Sequence, residues 1–183
     1  MRSALIGLAA LMVPALAAAQ DLPPMSDEEV VKLASSAAPP GIGDGATIVA
    51  IDYDGMQRVV RDGTNGWTCF PGHRFDNRDP LCADKNGREW LAAWMGGERP
   101  PPGKLGVIYM LHGTEGLSST DPGAMTETPT NNWIKIGPHL MLVGTGADAL
   151  AGYPEERPPD PSKPFVMWPN TRFQHVVLPV ATK

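Results

Sequence analysis

Two short apolar runs, residues 105–111 (LGVIYML) and 139–143 (HLMLV), constrain this chain more than anything else in it. Each is apolar on both faces and stops at turn residues. That pattern specifies buried strands, because a core helix would run longer and show a three-to-four-residue period. Between them lies a stretch rich in Thr, Asp, Pro and Asn that ends in NNWIKIGP at 131–138, and it reads as a loop. The rest of the chain reads as material that extends or covers this pair.

The N-terminus is set apart from the fold. Met1-Arg2 is a basic start, residues 4–16 are apolar, and Ala17-Ala18-Ala19 closes the stretch with small side chains. This is the pattern of a secretory signal peptide spanning 1–19, with cleavage expected after Ala19. The apolar stretch is shorter than the roughly 20 residues of a membrane span. No Cys follows the cleavage site to carry a lipid. The expected product is exported, periplasmic or secreted, with no integral membrane segment in the mature chain.

Taking 19 residues from 183 leaves 164, residues 20–183, enough for a single domain with a substantial core. The 15 basic residues less Arg2 leave 14 against 20 acidic ones, and no basic cluster is present. A nucleic-acid partner is therefore not expected. Cys69 and Cys82 are the two cysteines. An even pair in an oxidising compartment, around a turn-rich segment, reads as a disulfide. A redox-active dithiol would have Cys-x-x-Cys spacing, which is absent.

In chain order, Ser26 and Glu29 have capping-box spacing and open a helix that ends near Ala38, before Pro39-Pro40. Residues 47–51, 56–61 and 67–70 read as an antiparallel meander, with turns at Asp54-Gly55, Asp62-Gly63 and Asn65-Gly66. Residues 84–87 read as a loop. Residues 89–95 form a second helix, with Trp90 and Trp94 on one face. Residues 144–150 hold one helical turn, and 165–168 and 173–178 are the last strands. The fold expected is α+β: one domain, mostly an antiparallel sheet or small open barrel, with two short helices.

Four motifs, TNGWTC (64–69), AWM (93–95), NNWI with GPH (131–134 and 137–139) and KPFVMWP (163–169), resemble those of uncharacterised secreted bacterial proteins. The resemblance spans most of the mature chain and supplies no activity.

Three kinds of chemistry compete for the polar residues. Ser118, Asp160 and His175 occur in the triad order of α/β-hydrolases, and His112-Gly113 resembles that fold's oxyanion turn. The Gly-x-Ser-x-Gly elbow is missing, and Ser118 follows its strand too closely for a crossover helix. Met110/His112 and His139/Met141 each put a thioether and an imidazole two residues apart, on one face of a strand. If the two strands pair with those faces aligned, the four side chains form a copper site, since thioether with imidazole suits Cu(I). The competing reading makes the methionines core filler and the histidines strand-end residues. Trp67, Trp133 and Trp168 are candidates for an aromatic binding surface, against burial with each N–H on a nearby carbonyl. Asp52/Asp54 and Glu155/Glu156 read as solvated turn positions. No catalytic constellation is complete. The expected function is thus a non-enzymatic binding or structural domain needing no cofactor, its partner a small molecule, glycan or protein. A copper-binding protein and a small serine hydrolase are the alternatives.

Overall fold

The computed structural model describes residues 24–52, 54–73 and 78–180; the signal-peptide assignment lies outside them. The first helix, α1 (Asp27–Ser35), begins where the capping box places it. The Ser26 hydroxyl accepts from Glu29 N at 3.3 Å, and the Glu29 carboxylate accepts from Ser26 N at 2.8 Å. Val30 and Ala34 form its buried stripe. Pro39 ends this segment, and Pro40 starts a single turn, α2 (Pro40–Gly43), at the one helix position where a missing N–H costs nothing.

The strands follow as β1 (Thr47–Ile51), β2 (Gln57–Arg61), β3 (Thr68–Phe70) and β4 (Leu81–Ala83). Next come α3 (Lys85–Met95), β5 (Gly106–Met110), β6 (Thr114–Ser118), β7 (Trp133–Ile136) and β8 (His139–Val143). The chain closes with α4 (Ala147–Leu150), β9 (Phe165–Met167) and β10 (His175–Pro179). Eight strands make one open sheet in the order β2-β1-β3-β4-β5-β8-β10-β9, and β6 and β7 pair separately. The α+β, strand-dominated expectation stands. The sheet is open, not a barrel, and four helices are described instead of two, α2 and α4 being single turns.

The expected meander is corrected at β3, which runs parallel to β1 (Thr47↔Thr68, Ile48↔Cys69). Since β2 occupies one side of β1, the chain crosses to the other. Thr64 N donates to Gly45 O at 2.8 Å, and Gly63 N donates to Thr47 Oγ1 at 3.1 Å. A Cβ at Gly63 would lie 2.1 Å from Thr47 N, so only glycine passes here. The two expected turns thus wrap around the start of β1 and do not simply reverse the chain.

α3 starts earlier than its apolar spacing suggests. Asp84, expected in a loop, is its N-cap and accepts from Gly87 N at 2.6 Å. Gly87 and Gly106 let helix and strand touch, since a Cβ at Gly87 would meet Val107 O at 2.9 Å. The stretch 112–138 is also more ordered than expected, because it contains β6 and β7.

The sheet is covered on both faces. One face places Ile48, Ala50 and the Cys69–Cys82 disulfide against Val30 and Ala34 of α1. The two cysteines are direct cross-strand partners on β3 and β4, so the expected disulfide is formed. The opposite face packs Phe70, Ile108 and Val177 against Trp90 and Leu91 of α3. Each large side chain buried this way contributes about 1.5–3 kcal/mol.

Candidate functional site

A cavity of about 930 Å³ lies on the α3 side of the sheet. Its floor is β5, β8, β10 and β9, its wall is α3, and its roof is β6, β7 and the 121–125 loop. A volume of this size falls within the roughly 300–1,000 Å³ of small-molecule sites.

The floor follows from strand register. Met110 on β5 faces His139 on β8, and Ile108 faces Met141. Val177 of β10 lies beside Met141, and two residues back along β10 His175 is paired with Met167 of β9. Period-2 alternation therefore puts Met110, His139, Met141, His175 and Met167 on the one face that lines the cavity.

His139 and His175 are built alike. His139 Nδ1 lies 2.7 Å from Gly137 O, and His175 Nδ1 lies 2.9 Å from Phe173 O, in each case the carbonyl two residues earlier. A carbonyl only accepts, so in both neutral rings Nδ1 carries the hydrogen and Nε2 the lone pair. Both rings are 1% exposed. Loss of water pushes the His175 pKa down to about 4 and lowers that of His139 as well. His175 stands edge-on to Trp90 and Trp168, each 5.1 Å away between ring centroids, and its Nε2 has no hydrogen-bond partner among the described residues.

The roof is tied down by polar groups. Asp79 accepts from Thr114 Oγ1 at 2.7 Å and from Glu115 N at 3.2 Å. Ser118 Oγ donates to Asn131 O at 2.6 Å and accepts from Asp121 N at 2.8 Å. Trp94 Nε1 donates to Pro122 O at 2.9 Å, which holds the 121–125 loop over α3. Asp52, Asp79 and Asp121 line the cavity, while no Lys or Arg does so among the described residues.

Several expectations are redrawn by these positions. His112 does not join the other three proposed copper ligands. β5 ends at Met110, the chain turns at Gly113 (φ 76°), and exposed His112 reaches Ser36 Oγ at 2.9 Å near the end of α1. The triad order does not become a triad. The Ser118 hydroxyl is engaged by Asn131 O, His175 Nδ1 by Phe173 O, and exposed Asp160 by Ser162 and Lys163. Of the three tryptophans, Trp133 and Trp168 line the cavity and Trp67 does not. Trp67 packs at a tilt against Tyr109 on the disulfide side, 5.6 Å between centroids. Trp168 is 3% exposed and donates to Ser118 O at 2.7 Å, and half-buried Trp133 lines the cavity roof.

Other lining residues were not singled out by the sequence. Trp90 and Trp94 read there only as one face of a helix, Met167 appeared only within KPFVMWP, and Asp79 carried no motif. The available signal was His175 itself, a titratable residue on the same alternation as Val177 in an apolar strand.

Compared with known protein families, with curated proteins and with solved structures, the chain matches none.

Proposed function

We propose that this is an exported, non-enzymatic binding protein that holds a small, neutral, largely apolar molecule in the cavity under β6 and β7. The observation that carries the reading is the cavity itself: indole, thioether and aliphatic side chains around two neutral imidazoles. Such a lining binds through apolar burial, with a few polar groups fixing orientation. Among the described residues the lining has three aspartates and no Lys or Arg, which disfavours an anion. Asp79, Thr114 and Ser118 are engaged in holding the roof, which supports binding over catalysis.

Tryptophan emission should follow binding directly, because Trp90, Trp94, Trp133 and Trp168 all line the space. Titration with 1-decanol is expected to saturate at one site, and decanoate at the same chain length should bind at least tenfold more weakly. Leu117→Trp, which adds bulk from the roof, should reduce decanol affinity at least tenfold. If neither decanol nor shorter alcohols and arenes saturate, or if Leu117→Trp leaves their affinity unchanged, the cavity is not a binding site.

A further inference from the structure

We infer that the floor of this cavity also binds one Cu(I) ion through Met110, His139 and Met141. Met110 and His139 are direct partners across β5 and β8, and Met141 is two residues from His139 on the same face. Partners across an antiparallel pair have Cα atoms about 4.5–5.5 Å apart, so side chains of this length can reach a common point above the sheet. The donors are two thioethers and one imidazole, a set suited to a soft monovalent ion. None of the three is a carboxylate, the donor that hard divalent cations require.

The imidazole is already in the form a metal needs. Its Nδ1–H is committed to Gly137 O, which fixes the tautomer and leaves the Nε2 lone pair as the donor. Metal-bound histidines use this outer hydrogen bond to orient the ring.

The rest of the lining carries the same chemistry. Of nine methionines in the chain, Met95, Met110, Met125, Met141 and Met167 line this one cavity, as do three of the four histidines, His73, His139 and His175. Met95 and Met125 are 43% and 59% exposed and bring two further thioethers to the lining. Core filling alone would explain buried Met110. It does not explain why thioethers also collect at exposed positions around the same space.

The site shares its cavity with the organic ligand proposed above but does not need that ligand, and the metal alone tests it. The disulfide-bonded protein would be titrated anaerobically with Cu(I) in competition with bicinchoninate, a coloured Cu(I) chelator. One equivalent should be withheld from the chelator. Met110→Leu and Met141→Leu nearly conserve volume, and each should weaken binding at least tenfold, while the double variant should retain none. His139→Gln should also lose the ion, and His112→Ala should not. X-ray absorption at the copper edge should report sulfur neighbours in the wild type. Near-UV circular dichroism of the leucine variants confirms that they are folded, so that their loss of copper is read as loss of ligands. Failure of the wild type to withhold copper would overturn the inference, as would undiminished binding in the double leucine variant. Decanol binding is measured on the wild type without copper, so the two readings fail separately.

Discussion

His175 makes the fold sensitive to acid through a ring that solvent does not reach. Its unfolded pKa is about 6.5, and in the folded protein it is pushed down to about 4 by burial. As pH falls below 6.5 the unfolded chain takes the proton first. The contribution of the neutral ring is therefore fully present above about pH 6.5 and lost progressively down to about pH 4, an effect on the order of 3 kcal/mol. His139, also lowered by burial, acts in the same direction. Urea unfolding at pH 7 and pH 4.5 should show a larger fall in midpoint for the wild type than for His175→Phe. Equal falls would place the acid sensitivity in other groups. At this scale the sequence was a partial guide. The spacing of His139 and Met141, and the position of Met110, marked one strand face correctly. His112 shared that spacing but left the face, because strand alternation holds only while the strand continues, and β5 stops at Met110. Trp168 shows the same limit: residue type cannot say whether an indole faces water or, as here, donates to Ser118 O from inside the core.

Between β5 and β6 a single glycine decides whether the roof can sit on the floor. Gly113 has φ 76°, and a Cβ there would lie 2.3 Å from Ile136 O on β7. Gly113→Ala should cost about 1–3 kcal/mol from backbone strain alone, and relief of the clash has to move β7. Melting temperature and decanol affinity should therefore fall together. Ser26→Ala, on the other side of the sheet, should cost about 1 kcal/mol through the lost cap and leave decanol affinity unchanged. A Gly113→Ala protein that binds decanol normally would show that β7 is not held by this turn. The elements that were legible have one clear period: α1 from its capping box and apolar stripe, β5 and β8 from continuous apolar runs. β6 was not legible because Thr114-Glu-Gly-Leu-Ser offers a single large apolar residue and an internal glycine. The parallel placement of β3 was hidden as well. Turn residues say that the chain bends, and only packing says to which side of β1 it goes.

The molecule divides its tasks between the two faces of one sheet. The disulfide lies among α1, Ile48 and Ala50, and the cavity lies beyond the opposite face. Joining residues 13 apart contributes about 3 kcal/mol through the unfolded chain. Thiol titration of the native protein should find no reactive Cys until reductant is added. Reduction should then lower the melting temperature while near-UV circular dichroism keeps its native form at low temperature, because the cores on both faces persist. Collapse of that spectrum on reduction would mean that the bond holds the fold by itself. A last consequence comes from where the roof is encoded. β5 and β8 are neighbours in the sheet, and β6, β7 and the 121–125 loop all lie on the chain between them. The cover is thus one continuous insertion at a hairpin, and strand pairing does not require it. Mutation, shuffling or laboratory grafting can alter its length and composition while leaving the floor in register. Selectivity in such an architecture can change through the insertion while the strand order beneath it is kept.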